Sequence, residues 1–136
     1  MTPTPYITFK GNCREAMTAY AGIFGGEITM MMTGADMPGF PVPEGKGDWI
    51  LHSSVQLGGG TLMGSDDMMG DLPPVGGCWV MMEMPELGRA REVFAALAAG
   101  GSVGMDLNPT DWSPGFGTLT DRFGIPWMIS TTPAEA

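Results

Sequence analysis

Ala16-Met17-Thr18-Ala19-Tyr20-Ala21-Gly22-Ile23-Phe24-Gly25-Gly26-Glu27-Ile28 is answered later in the chain by Ala90-Arg91-Glu92-Val93-Phe94-Ala95-Ala96-Leu97-Ala98-Ala99-Gly100-Gly101-Ser102-Val103. Ala16 matches Ala90, Tyr20 matches Phe94 and Ile23 matches Leu97 at one offset, and the Gly-Gly pairs match after a slip of one residue. A shorter echo follows each stretch: Gly59-Gly60-Thr61-Leu62-Met63 against Gly124-Ile125-Pro126-Trp127-Met128. A repeat of this length, with helical and strand-like segments in each copy, indicates one supersecondary unit duplicated along the chain. The fold class follows from that duplication.

Working outward, Tyr6-Ile7-Thr8-Phe9 reads as a strand, and Asn12 with Glu15 three residues on makes a near capping box. A helix is therefore expected from about Cys13 to Phe24, with Ala16, Ala19, Tyr20 and Ile23 as its buried stripe and Gly25-Gly26 as its stop. Glu27 to Thr33 follows as a strand, then a Gly/Pro-rich loop over 34–47. Ile50 to Leu57 and Thr61 to Gly64 form a hairpin around Gly58-Gly59-Gly60. The second copy runs in the same order: strand Trp79–Glu83, helix Leu87–Ala99, strand Ser102–Leu107, then strands Phe116–Thr120 and Trp127–Thr131. The expected fold is α+β: two βαβββ modules in tandem, about 4–66 and 77–132, in one domain spanning 1–136. In each module the helix covers one face of the sheet and leaves the other free to become concave.

Composition narrows the function classes. Hydrophobic residues make up 43% of the 136, a globular content. No run approaches the roughly 18 apolar residues of a membrane span, and Met1-Thr2-Pro3-Thr4-Pro5 lacks the features of a signal peptide. Two cysteines, Cys13 and Cys78, suit reduced thiols in a cytoplasm better than a disulfide framework. The net charge of −9 repels phosphate backbones, so nucleic acid is not an expected partner, nor is a membrane. A strongly anionic substrate would need Lys10, Lys46 or Arg122 focused into the site. The 14 methionines read first as adaptable core filler.

Five stretches carry a family resemblance: Pro5-Tyr6-Ile7-Thr8-Phe9-Lys10-Gly11-Asn12-Cys13, Ile23-Phe24-Gly25-Gly26-Glu27, Leu62-Met63-Gly64-Ser65-Asp66, Leu97-Ala98-Ala99-Gly100-Gly101, and Thr120-Asp121-Arg122-Phe123-Gly124-Ile125-Pro126-Trp127-Met128-Ile129. In order and spacing they resemble the vicinal oxygen chelate superfamily of glyoxalase I, extradiol dioxygenases and bleomycin and fosfomycin resistance proteins. Within it they are similar to the PhnB-like group, often labelled 3-demethylubiquinone methyltransferase-like. The resemblance spans about residues 4–132 and implies a glyoxalase-like pair of half-barrels. It also implies four metal-ligand positions, on the first and last strands of each module, which fall on Pro5, Met63, about Cys78 and Met128. None of these is His, Asp or Glu, so no metal site of the hard, oxygen- and imidazole-rich kind is expected and no cofactor is implied. Met63, Cys78 and Met128 are soft donors that would suit Cu(I), against the plainer reading of apolar linings. Nothing in the chain has a methyltransferase cofactor site, and Gly58-Gly59-Gly60 joins two strands and is no phosphate loop.

Alternation assigns the ligand-facing residues. Leu51, Val55 and Leu57 belong beneath the helix, which puts His52, Ser54 and Gln56 on the concave face with Met63 and Met128. His52 is the only histidine and the one side chain suited to proton transfer at neutral pH, yet no partner for it is visible; a backbone-bonded pocket histidine is the plainer reading. Trp112 and Phe116 flank a turn where they would clamp an apolar ligand, or cover a contact or core edge. Trp127 faces the core, Asp66 serves a turn or cap, and Cys13 gains a lowered pKa from its helix N-terminus. No catalytic set is recognisable. The expected protein is a small-molecule binder with His52, Ser54, Gln56, Met63, Cys78, Trp112, Phe116 and Met128 in its pocket. It is expected to form a homodimer, with loop 34–47 as an arm. The alternatives are a divergent metal-dependent lyase, isomerase or dioxygenase with His52 recruited as a ligand, and a sequestering resistance-type binder.

Overall fold

A computed structural model of the chain describes residues 1–133. The elements run β1 (Tyr6–Phe9), α1 (Cys13–Phe24), β2 (Glu27–Thr33), a 3-10 turn (Gly34–Asp36), β3 (Ile50–Leu57), β4 (Gly60–Asp66), β5 (Val80–Met84), α2 (Leu87–Ala98), β6 (Ser102–Asn108), β7 (Phe116–Thr120) and β8 (Pro126–Thr131). They form two compact units, one from Met1 to Pro73 and one from Pro74 onward. Each unit holds a four-stranded mixed sheet, ordered β1-β4-β3-β2 in the first and β5-β8-β7-β6 in the second. The first strand pairs parallel with the last and the remaining neighbours are antiparallel, so the two units repeat one topology.

In the first unit α1 packs on β2, β3 and β4. Ala16, Met17 and Tyr20 of the helix are fully buried, as are Val55 and Leu62 of the sheet, with Leu57 nearly so. Ile50 is buried at the start of β3 while Leu51, expected beneath the helix, is only half-buried; the pairing of β3 with β2 is irregular there, shifting between His52 and Ile50. In the second unit Ala90, Val93, Phe94 and Leu97 cover Leu119, Trp127 and Ile129. Trp127 is fully buried, as its place opposite Met128 requires, and its Nε1 donates to Asp121 Oδ2 at 2.9 Å.

The repeated Gly-Gly pairs have two separate jobs. Gly25 caps α1 in the left-handed region at φ 66°, and Gly100 takes φ 76° after α2. Gly26 and Gly101 are needed for contact: a Cβ at either would strike the carbonyl of Gln56 or of Thr120. The one-residue slip between the copies is Ala99, which serves as the C-cap of α2 ahead of the glycines.

The N-terminus of α1 departs from the sequence reading. Asn12 makes no side-chain cap. Asp66 at the end of β4 does the work instead, its Oδ1 accepting the N–H groups of Gly11 (2.9 Å) and Cys13 (3.0 Å). Its Oδ2 accepts the N–H of Ile50 at 2.8 Å, so one carboxylate ties together the β1–α1 turn, β3 and β4. A buried carboxylate reaching three amides outcompetes a local Asn side chain, because charge-assisted bonds are stronger than neutral ones. β4 accordingly extends to Asp66, two residues past the expected Gly64.

Candidate functional site

The face of the first sheet opposite α1 is fixed by contacts on the other side. Ser53 Oγ lies 3.4 Å from Cys13 Sγ of the helix, and a Cβ on Gly64 would meet the same sulfur. Successive strand residues point to opposite faces, so His52, Ser54 and Gln56 of β3 and Met63 of β4 project from the open face, as alternation places them. Cross-strand pairing adds Tyr6 opposite Met63, Met30 opposite Ser54 and Met32 opposite His52.

Tyr6 reaches diagonally over β4 to His52. Its hydroxyl stands 3.0 Å from His52 Nδ1, and the two rings stack with centroids 5.6 Å apart. His52 therefore has the partner that sequence reading missed. The signal was present in Tyr6-Ile7-Thr8-Phe9, whose alternation puts Tyr6 and Thr8 on the open face, but the diagonal reach needs the strand order. Ser54 is buried between Met30 and Met63, and Gln56, exposed near the sheet end, accepts a hydrogen bond from Thr61 Oγ1 at 3.0 Å. The result is a polar pair standing in a field of thioethers.

The second sheet has an open face of its own. Phe94 of α2 lies against Gly117, so Phe116, Thr118 and Met128 face away from the helix. Trp112 and Phe116 meet edge to face with centroids 5.6 Å apart, and Trp112 is 62% exposed. Their turn is pinned by buried Ser113, whose Oγ accepts the N–H groups of Gly115 and Thr131, each at 3.1 Å, and lies 2.6 Å from the Thr131 carbonyl. Ser113 was not singled out in the sequence; one Ser among loop residues carries no signal of such a hub.

The strand register corrects two of the four implied ligand positions. The β1 residue opposite Met63 is Tyr6, while Pro5 offers only its carbonyl, to the Met63 N–H at 3.0 Å. The β5 residue opposite Met128 is Met81. Cys78 stands exposed, ahead of a strand that begins at Val80. The corrected set, Tyr6, Met63, Met81 and Met128, still has no carboxylate or imidazole, and such donors do not fit a hard divalent cation. Among the described residues no group of three or more His, Cys, Asp or Glu is placed to hold a metal ion.

Cys13 also departs from expectation. Burial pushes its thiol up to about 12, opposed by the Ser53 hydroxyl and reinforced by the neighbouring Asp66 charge. Desolvation of the thiolate outweighs the helix N-terminus, so this sulfur is a core group and no nucleophile.

No protein-family model matches the sequence. Protein YjdN of Escherichia coli strain K12 is 30% identical over 147 aligned positions, which cover 99% of this chain and 98% of that protein. Protein PA1353 from Pseudomonas aeruginosa superposes with a TM-score of 0.89 at 37% identity, covering 97% of this chain and 98% of that one. The PhnB protein from Bacillus cereus superposes with a TM-score of 0.82 at 23% identity over 97% and 100% of the two chains, a likeness of fold. The chain belongs to one family with YjdN and PA1353, and its paired modules have the glyoxalase-like fold. Among the described residues no helix is long and apolar enough to cross a membrane.

Proposed function

We propose that this protein binds a small, largely apolar molecule on the open face of a sheet, without a hard metal centre. One observation carries the reading: the Tyr6–His52 pair stands on a face where Met30, Met32 and Met63 supply the large apolar side chains beside the smaller polar Ser54. A mostly apolar surface with a few convergent polar groups is what a small-molecule site requires, the apolar atoms supplying affinity and the polar pair orientation. Thioether side chains adapt to irregular ligands, which favours a shape-tolerant site. Trp112, Phe116 and Met128 supply the aromatic and thioether lining of the second sheet's face. Cys78 is left as a peripheral candidate, and the reading assigns no catalytic residue.

The test is a screen of neutral aromatic and aliphatic compounds read by the ε-methyl signals of the methionines. Binders should shift Met30, Met32 and Met63 and leave buried Met17 in place, and His52→Ala should weaken them about tenfold, the loss of one hydrogen bond. Compounds that bind without moving any open-face methyl would overturn the assignment.

A further inference from the structure

β2 carries Met30-Met31-Met32, and its register places Met31 opposite helix-side Ser53, so Met30 and Met32 share the open face. Two residues along a strand are about 6.7 Å apart, a gap that two flexible thioether side chains can close on one ion. Met32 lies directly across from His52, and opposed Cβ atoms on adjacent strands stand about 5 Å apart. Met63, beyond Ser54 in the neighbouring row, is a further thioether on the same face.

The histidine is prepared for ligation. Nδ1 is engaged by the Tyr6 hydroxyl, and Nε2 has no protein partner among the described residues. A ligating imidazole commonly donates its other ring N–H to an oxygen, which fixes its tautomer and orientation; Tyr6 Oη is positioned to accept that bond. The donors are two or three thioethers and one imidazole, with no carboxylate. Soft donors of this kind select soft cations, and the −9 charge of the chain favours a cation over an anion.

We propose that the open face of the first sheet binds a soft monovalent cation, Cu(I) or its analogue Ag(I), through the thioethers of Met30 and Met32 and Nε2 of His52, with Met63 adjacent and Tyr6 as the positioning residue. The site lies within one unit and uses the same face as the organic-ligand reading, but its affinity for a soft cation does not depend on that reading. It also differs from the sulfur set suggested by sequence, since Met63, Cys78 and Met128 are not neighbours in either sheet.

Exposed Cys78 is a competing soft ligand, so the test compares the full chain with its Cys78→Ser variant under reducing, anaerobic conditions. Ag(I) is titrated, and Cu(I) is delivered against a chromophoric chelator. The expected result is one equivalent bound by Cys78→Ser, with the ε-methyl signals of Met30 and Met32 and the His52 ring nitrogens shifted. Met30→Leu/Met32→Leu should weaken binding more than tenfold, and Tyr6→Phe about tenfold, with a change in the His52 tautomer signature. Absence of uptake by Cys78→Ser overturns the proposal, as does uptake that leaves the Met30 and Met32 methyls unmoved. The methyl readout needs no substitution at the site, so a poorly folding variant cannot rescue the idea.

Discussion

Three buried or partly buried side chains show how environment decides chemistry. Cys13 is sealed beneath α1 with its thiol pushed up to about 12, whereas Cys78 is exposed. Iodoacetamide at pH 8 should therefore modify one thiol in the folded protein and two in denaturant; two in the folded state would contradict the burial argument. Asp66 accepts the backbone N–H groups of Gly11, Cys13 and Ile50. Asp66→Ala leaves them unpaired and should cost about 3 kcal/mol in urea unfolding; a loss below about 1 kcal/mol would show that water replaces the carboxylate. Asp67 is held below the usual carboxylate range by the N–H of Leu72, with Gly70 assisting. A depressed folded value means its contribution is present above about pH 4, the unfolded value, and is lost as pH falls through the lower folded one. The stability gap between the native chain and Asp67→Asn should accordingly narrow on acidification; a gap that widens would contradict the sign.

At the scale of elements, the glycines separate into those the fold needs and those it does not. Gly22 lies on the exposed side of α1 with open space where a Cβ would go. Gly22→Ala should stabilise by up to about 1 kcal/mol through helix propensity, while Gly26→Ala and Gly101→Ala should destabilise strongly because a Cβ meets a backbone carbonyl. Thermal unfolding ranks them, and a destabilising Gly22→Ala would contradict the packing of α1. The element order was legible in the sequence because helix stripes, Gly stops and alternating strands are local signals. The face occupied by His52, Ser54 and Met63 followed from alternation for the same reason. What stayed hidden was non-local: Asp66 replacing Asn12 as the cap, Tyr6 reaching His52 across β4, and Met81 rather than Cys78 beside Met128. Each of these depends on which strands are neighbours and in what register. Cys78 and Met81 are three residues apart, and an odd shift of this kind moves a strand residue to the other face.

At the scale of the whole molecule, apolar side chains that stay exposed ask for a partner. Tyr6, Met30, Met81, Met105 and Trp112 are each about half exposed or more. A homodimer with loop 34–47 as an arm is our proposal for part of that surface, and light scattering should return twice the 14.3 kDa chain mass; a monomer at micromolar concentration would contradict it. The central claim is our proposal that this glyoxalase-like fold presents an organic-ligand face and no hard metal centre. Its most direct test is elemental analysis of untagged protein after incubation with Mn, Fe, Ni and Zn, for the native chain and His52→Ala. The account predicts far less than one equivalent of any of them, unchanged by the substitution. One bound equivalent that disappears in His52→Ala would contradict it and make the protein a divergent metal enzyme.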